Sequence, residues 1–368
     1  MKTYKQQIRK QTFRTKLLFS LVIFLGLTSM AAAQEFAGEP SGIEARFNVG
    51  YTVLDFNYID GDSEKTITVA VWYPTDEVPH EFNYGGPTIG NIAIKADLDT
   101  NSGPYPLLVF SHGGGGTGIG SVFFTESLAA QGWIVAAPDH HDKYSFVRIR
   151  TGQNPDFARS DFLKWVNQIV SSGPEEREPY LYRLDELQAV LDGMTGSEQF
   201  AKFIDKDKIA VGGHSFGGYT ALGLCGTIPE RYDDRIKAVL LFSTGAGGYL
   251  FSEEELSRVN MPLMIYLGKR ERQQMRASVA MEEIVDKIYR SAASSKYFLE
   301  IEGANHFSFN NRFDHRFITR YFSGTEEQFD VIRSYSIAFL EKHVAGNESA
   351  DTVLFKKHPM LSRFIYEP

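Results

Sequence analysis

The stretch IAVGGHSFGGYTAL, from Ile209 to Leu222, places four glycines around Ser215, between an apolar run and a segment with the pattern of a helix. Glycine is a poor residue for the interior of a strand or a helix, so its use here indicates a tight turn. Gly213 to Gly217 match G-x-S-x-G, in which a strained strand-to-helix turn raises a serine hydroxyl above a sheet. The stretch predicts Ser215 as a nucleophile, although a plain glycine turn without chemistry is the alternative.

Strand and helix patterns alternate on both sides of this turn. Helical periods cover residues 125–131, 180–194 and 326–344. The apolar runs typical of strands lie at residues 66–74, 105–114, 132–140, 208–213, 236–244, 262–268 and 296–303. Alternating elements with continuous apolar strands predict an α/β fold, with a mostly parallel central sheet covered by helices on both faces. The irregular connection at residues 141–179 is expected to form a short cap-like insertion.

The composition limits the class of partner. The chain has 368 residues, 43% of them hydrophobic, and a formal net charge of -8. Without clustered lysine and arginine, nucleic acid is not expected as a partner, because phosphate binding requires such clusters. A small-molecule substrate is expected instead. Cys225 is the one cysteine, so no internal disulfide can form, and a buried apolar role is expected for it. The oligomeric state is left open.

The N-terminal residues have the pattern of an export signal. Basic residues precede the apolar run LLFSLVIFLGL at residues 17–27, and Ala31 and Ala33 are spaced for cleavage. We expect a signal peptide at residues 1–33, a single domain at residues 34–368, and a periplasmic or secreted product. An uncleaved anchor is the alternative, but a run of about 11 apolar residues is short for a membrane span. No stable membrane insertion is expected after cleavage.

A serine nucleophile needs a base and an acid that orients the base. His306, in GANHFSF, follows the last predicted strand and is the expected base, with His315 as the reserve. Glu271 follows the strand PLMIYLG and is the expected acid, because ligands gather at the carboxyl ends of such strands. The alternative for Glu271 is an exposed charge within a solvated basic run. Glu302 and Asp139 are the next candidates for the acid.

Two backbone amides are expected to form the oxyanion hole. One belongs to Phe216, which follows the nucleophile, and the other to Gly114 in SHGGGG. A turn that requires only flexibility is the alternative for these glycines. Aromatic residues near the predicted site loops, although mostly explained by core packing, suggest an apolar acyl pocket; they are Phe123, Phe124, Phe307 and Phe309. No cofactor and no metal are implied.

The order of VWYP, SHGGGG, AAPDHHD, RLDELQAVLD, IAVGGHSFGGYTAL and GANHFSF resembles the α/β-hydrolases related to platelet-activating factor acetylhydrolase and dienelactone hydrolase. The resemblance implies an α/β-hydrolase fold and an ester hydrolase in which Ser215 is the nucleophile and His306 the base. It places the acid of the acetylhydrolase branch after the next strand, where this chain has Ser243. The acid has therefore moved to Glu271, as in dienelactone hydrolases, or is missing.

Two rival functions and a metal site remain as alternatives. A catalytically weak or dead hydrolase fold that binds a ligand is favoured if Glu271 is not the acid. Gly113 to Gly118 also match G-x-G-x-x-G, with Asp139 at the end of the next strand, as in dinucleotide-binding proteins. His140 and His141 suggest a metal site, but neighbouring residues at a strand end are expected to point to opposite sides, which disfavours one.

Overall fold

The computed structural model describes residues 44–153, 157–245, 249–271, 275–276, 279–315 and 321–368. The predicted signal peptide lies outside these residues. The strands are β1 (Asn48–Asp60), β2 (Ser63–Thr75), β3 (His80–Gly85), β4 (Thr88–Ile94), β5 (Tyr105–Ser111), β6 (Ile134–Pro138), β7 (Val147–Arg148), β8 (Gly152–Gln153), β9 (Ile204–His214), β10 (Ile236–Phe242), β11 (Leu263–Gly268), β12 (Met275–Arg276), β13 (Val279–Ala280), β14 (Lys296–Ile301) and β15 (Leu361–Glu367). The helices described are α1 (Val122–Ala129), α2 (Arg159–Ser171), α3 (Tyr182–Gly196), α4 (Phe216–Leu222), α5 (Glu253–Leu256), α6 (Met281–Ser291), α7 (Glu326–Leu340) and α8 (Asp351–Leu354).

One mixed sheet organises the fold. Its 11 strands run in the order β15-β14-β11-β10-β9-β5-β6-β2-β1-β4-β3. The central strands from β6 to β14 pair in parallel, whereas β2 joins β6 and β15 joins β14 in antiparallel pairs. The carboxyl ends of the central strands therefore meet at one edge, which is where ligands bind in open α/β sheets. The predicted fold class is confirmed.

Both faces of the sheet are covered by apolar packing. Alternate residues of β5 go to opposite faces: Val109 packs in the cluster with α3 and α6, and Phe110 in the cluster with α1 and α7. All of these strand side chains are nearly or fully buried. Burying one large apolar side chain contributes about 1.5–3 kcal/mol, so the two clusters hold the strand ends in fixed positions. Cys225 is fully buried, as expected.

Several elements were not predicted from the sequence. The strands β1, β3, β4 and β15 lie outside the central parallel strands, where half-exposed positions interrupt the apolar pattern. Helix α2 lies inside the connection that was expected to be irregular. Ile169 is its only buried residue among those described, although Phe162, Trp165 and Ile169 have the i, i+3, i+7 spacing of an amphipathic helix. The connection 141–179 also contains the short hairpin β7–β8.

Candidate active site

Ser215 lies at a sharp turn between β9 and α4. Its backbone has φ 54° and ψ -113°, a conformation that non-glycine residues rarely adopt. The chain passes so close to its neighbours that a Cβ on Gly217 would lie 1.9 Å from the carbonyl oxygen of Ser111. A Cβ on Gly213 would lie 2.3 Å from the carbonyl carbon of Gly217. The glycines around the serine are therefore required by close backbone approach.

The Ser215 hydroxyl begins a hydrogen-bonded series of three side chains. Its Oγ lies 2.8 Å from Nε2 of His306, and Nδ1 of His306 lies 3.0 Å from Oε2 of Glu271. The other oxygen of Glu271 accepts a hydrogen bond of 2.7 Å from the Gly268 amide. The carboxylate of Glu271 is fully buried, although Lys269 beside it is exposed. The solvated-charge interpretation of Glu271 is therefore wrong: the turn after β11 directs it inward.

Ser243, which stands where the family resemblance places an aspartate, also contacts this series. It follows β10 and is fully buried. Its Oγ donates to Oε2 of Glu271 at 2.7 Å and lies 2.7 Å from Nδ1 of His306. Side chains from the ends of β9, β10 and β11 thus converge on His306, which follows β14. No pattern along the sequence marks this convergence, because it depends on strand order.

His214 holds the loop that carries His306. Its Nε2–H donates to the carbonyl oxygen of His306 at 2.8 Å, and its Nδ1 accepts from the Asn310 amide at 3.2 Å. Burial, and then the neighbouring His306, lower the pKa of His214 to about 3. The ring is therefore neutral near pH 7, and its one ring N–H is committed to the loop. No pattern in the sequence marks His214 for this role.

The two predicted oxyanion donors belong to two segments that lie close together, since a Cβ on Gly114 would lie 3.7 Å from Cδ1 of Phe216. Phe216 is the first residue of α4, where backbone amides lack an intrahelical acceptor. Gly114 belongs to the loop after β5. Two residues before it, the carbonyl of His112 accepts two hydrogen bonds of 3.1 Å from Arg183. On its other side the Gly115 amide donates to Asp142 at 2.8 Å. The peptide groups on either side of the one that carries the Gly114 N–H are therefore held by hydrogen bonds.

Arg183 and Asp142 themselves form a buried ion pair. The Arg183 Nε lies 2.9 Å from Asp142 Oδ1, and both side chains are fully buried. A guanidinium presents several donors in a rigid plane, so Arg183 can bind the carboxylate and the His112 carbonyl together. The pair connects α3 and the start of the 141–179 connection to the loop of Gly114. It was not predicted, since its members are 41 residues apart.

A second serine–histidine–glutamate series lies beneath this loop. Ser111 Oγ is 2.8 Å from His140 Nε2, and His140 Nδ1 is 2.7 Å from Glu186 Oε2. His141 contacts the other oxygen of Glu186 at 2.7 Å. Burial raises the pKa of Glu186, but hydrogen bonds from both histidines outweigh it and hold the pKa below its usual range. Ser111 and His140 are fully buried, so the series is structural rather than accessible to a substrate.

The geometry of DHHD differs from the expectation on which a metal site was disfavoured. His140 and His141 were expected to point apart, but β6 ends at Pro138 and both rings reach the same carboxylate of Glu186. Within the described ranges, no group of three or more histidine, cysteine, aspartate or glutamate side chains is arranged to hold a metal ion.

The alternative site residues lie elsewhere. His315 is exposed, and Glu302 pairs with Lys269 at 2.6 Å on the surface. Asp139 is buried, and its carboxylate accepts from Thr117, from the Gly118 amide and from the Ile149 amide. The Asp139 carboxylate is therefore occupied by hydrogen bonds within the protein. It is not available to bind a ribose, as the dinucleotide alternative requires.

Core packing explains three of the four aromatic residues near the predicted site loops, as expected. Phe124 and Phe309 are fully buried in the core, and Phe123 stacks on Phe329 with 4.0 Å between ring centroids. Phe307 is half-exposed beside His306.

Two aromatic residues of α2 instead contact the loop of Gly114. Trp165 lies 3.4 Å from where a Cβ on Gly114 would stand, and Phe162 lies 2.5 Å from the same point on Gly115. The cap-like connection therefore supplies an aromatic wall to the site.

A family model described as platelet-activating factor acetylhydrolase, isoform II, matches residues 82–166 and 163–353. The chain belongs to this family. It is 27% identical to the platelet-activating factor acetylhydrolase of Cavia porcellus over 276 residues, which are 67% of this chain and 59% of that protein. With the acetylhydrolase of Gallus gallus the identity is 28% over 305 residues, 72% of this chain and 68% of that protein. The chain thus spans about three fifths of the first relative's length.

A solved structure extends the comparison to the fold. A ferulic acid esterase from Streptomyces cinnamoneus matches with a TM-score of 0.63 and 21% sequence identity, covering 92% of this chain and 100% of that one. The α/β-hydrolase fold implied by the sequence resemblance is confirmed. In the part of the chain that the structure describes, no helix combines the length and the apolar character needed to cross a membrane.

Proposed function

We propose that the chain is a serine hydrolase that cleaves a carboxylic ester through an acyl-enzyme intermediate. The observation that carries this proposal is the unbroken series from Ser215 Oγ through His306 to the buried carboxylate of Glu271, with distances of 2.8 and 3.0 Å. Two other observations support it. The chain belongs to a family named for an acetylhydrolase, and the fold is shared with an esterase.

The proposed reaction assigns each group one task. His306 Nε2 takes the proton of Ser215 as the serine oxygen attacks the acyl carbon. The amides of Gly114 and Phe216 stabilise the negative oxygen of the tetrahedral intermediate. When this intermediate collapses, His306 returns the proton to the departing alcohol. Water then attacks the acyl-serine by the same route and releases the acid. Glu271 stabilises the imidazolium that forms twice in this cycle.

The proposed substrate is a small molecule with an apolar acyl group. Trp165 and Phe162 of α2 pack against the loop of Gly114, so an acyl chain bound there would contact aromatic carbon. The relatives' name suggests an acetyl ester as the first compound to test. We further propose that residues 1–33 are a cleaved signal peptide and that the enzyme is exported, where it acts on lipid-like esters.

A ligand-binding protein with a weak or dead hydrolase site is the second candidate. It is favoured only if the position of Glu271 does not support catalysis, because an uncharged partner would leave His306 a poor base. The fully buried carboxylate within 3.0 Å of His306 Nδ1 favours the enzyme.

The test is steady-state hydrolysis of p-nitrophenyl acetate by the purified mature protein and by Ser215→Ala. We expect turnover by the wild type and a loss of at least about 10³-fold in kcat for the variant, because the covalent route is removed. Ser257→Ala, at an exposed serine of the surface turn after α5, is the matched control and should keep wild-type kinetics. Turnover by a folded Ser215→Ala protein near the wild-type rate would overturn the assignment.

A further inference from the structure

The hydroxyl of Ser243 lies between the proposed base and the proposed acid. Ser243 Oγ is 2.7 Å from Nδ1 of His306 and 2.7 Å from Oε2 of Glu271, whereas the direct distance from Nδ1 to Oε2 is 3.0 Å. Each of the two hydrogen bonds made by this serine is therefore shorter than the direct contact between the base and the acid.

Counting hydrogens fixes the direction of these bonds. An ionised carboxylate only accepts, so the Ser243 O–H donates to Glu271 Oε2 and leaves a lone pair facing His306. The Nδ1–H of His306 then has two acceptors, the hydroxyl and the carboxylate. With the proton on Nδ1, Nε2 presents its lone pair to Ser215, as a general base requires. In the opposite tautomer the Nδ1 lone pair would face the carboxylate, which is repulsive.

The backbone at Ser243 is held in an unusual conformation. Its φ is 47°, in the left-handed region that favours glycine, and its amide donates to the carbonyl oxygen of Tyr266 at 3.0 Å. Serine is fully buried here. Conformations of this kind persist where the surrounding structure imposes them, and they cluster at functional sites. A residue whose only task was to fill this turn would be glycine.

We propose that Ser243 is a positioning residue that relays the charge of Glu271 to His306 and fixes the imidazole in its Nδ1–H tautomer. The inference rests on the proposed function, because it takes His306 as the base of Ser215. It adds a fourth side chain to the site. The Nδ1–H of His306 then faces two acceptors, the carboxylate of Glu271 and the hydroxyl of Ser243.

The proposal is tested first by removing the hydroxyl in two ways. Ser243→Ala and Ser243→Gly both lack it, but glycine also relieves the left-handed backbone. We expect both variants to lose about 10- to 100-fold in kcat with KM within about threefold, since the relay matters mainly in the transition state. If the serine only shapes the turn, Ser243→Gly will keep wild-type kcat, and the proposal fails.

A sharper test moves the carboxylate. Ser243 Oγ is closer to Nδ1 than Glu271 is, so an aspartate at 243 can reach the ring once the glutamate is shortened. We expect Glu271→Ala to lose about 10³-fold or more in kcat, and Ser243→Asp/Glu271→Ala to recover at least about tenfold of that loss. Both proteins lack the acceptor of the Gly268 amide, so the single variant is a matched control. A double variant no better than Glu271→Ala would contradict the relay.

The pH profile of a third variant tests the contact between position 243 and His306. Ser243→Asp alone places two carboxylates beside His306 in a buried site, so the acidic limb of kcat/KM should move upward by about one pH unit. His214, whose ring centroid lies 4.9 Å from that of His306, stays neutral in this range because burial lowers its pKa to about 3. If the acidic limb of kcat/KM does not move in an active Ser243→Asp variant, the contact between position 243 and His306 is contradicted.

The two proposals fail in distinguishable ways. If Ser215→Ala keeps its activity, the proposed nucleophile is wrong, whatever the variants at 243 do. If Ser215→Ala is inactive while Ser243→Gly and Ser243→Ala turn over like the wild type, the hydrolase mechanism stands and only the relay is overturned. Circular dichroism and thermal melting of each variant establish that the compared proteins are folded.

Discussion

The carboxylate of Glu271 offers the most quantitative perturbation, the change Glu271→Gln. Oε2 accepts from Ser243 and lies 3.0 Å from His306 Nδ1, and Oε1 accepts from the Gly268 amide at 2.7 Å. A glutamine has one oxygen, so it cannot accept from both the Gly268 N–H and the Nδ1–H of His306. If its oxygen stays on Gly268, its NH₂ faces Nδ1 and selects the tautomer that cannot accept the serine proton. If it turns, its NH₂ faces the Gly268 N–H, and a buried donor loses its partner at a cost of about 1–3 kcal/mol.

Either arrangement also removes the negative charge that stabilises the imidazolium. We therefore expect kcat to fall by about 10³- to 10⁴-fold, with KM changed much less. At about 1.4 kcal/mol per factor of ten, this is about 4–6 kcal/mol of lost transition-state stabilisation. The assay is steady-state hydrolysis of p-nitrophenyl acetate, with protein folding checked by circular dichroism.

The matched control for this change is Glu302→Gln. Glu302 is the same residue type after the neighbouring strand, but it pairs with Lys269 on the surface at 2.6 Å. A surface pair contributes under about 1 kcal/mol, so kcat should change by less than about threefold. A folded Glu271→Gln protein that is as active as Glu302→Gln would refute the argument that the buried carboxylate acts on His306.

Three further changes test other parts of the account. His306→Ala should lose nearly as much kcat as Ser215→Ala, and the double variant should be little worse, because the two act as one unit; additive losses in the same assay would contradict this. Arg183→Lys keeps the buried charge but not the planar fork that anchors the loop of Gly114, so kcat should fall by at least about tenfold with KM nearly constant, and an unchanged kcat would remove the proposed anchoring role. The pKa of His214 is lowered from 6.5 to about 3 on folding, so the unfolded chain binds the extra proton and stability falls as pH drops from about 6.5 toward 3. In urea unfolding between pH 4.5 and 6.0, His214→Gln should show a slope shallower by up to about 1.4 kcal/mol per pH unit, and an identical slope would show that this histidine is not buried neutral.

The central part of the fold was predictable because it depends on local patterns. Buried parallel strands are continuous apolar runs, and the turn at Ser215 needs glycine on both sides, so both are visible in the sequence. The outer strands were missed for the opposite reason. β15 is half-buried along almost all of its length, so it carries no clear apolar alternation. Helix α2 differs from these strands, because Phe162, Trp165 and Ile169 have the spacing of an amphipathic helix and could have predicted it.

The site was predictable only in part. Ser215, His306 and Glu271 follow strands whose carboxyl ends share one edge, and this order along the chain is enough to nominate them. Whether Glu271 points into the site was not decidable from the sequence, since its neighbours are basic and the direction is set by the turn after β11. Contacts such as Ser243 with Glu271, and Arg183 with Asp142, join residues 28 and 41 positions apart, and they arise from packing rather than from any local pattern.

Active-site labelling shows whether Ser215 is an activated nucleophile. The purified mature protein is treated with a fluorophosphonate, digested, and mapped by mass spectrometry, with Ser215→Ala and heat-denatured protein as controls. We predict a single phosphonyl adduct on the peptide containing Ser215, with loss of esterase activity in proportion to labelling, and no adduct on either control. A native protein that hydrolyses the ester but remains unlabelled at Ser215, or is labelled at another serine instead, would contradict it.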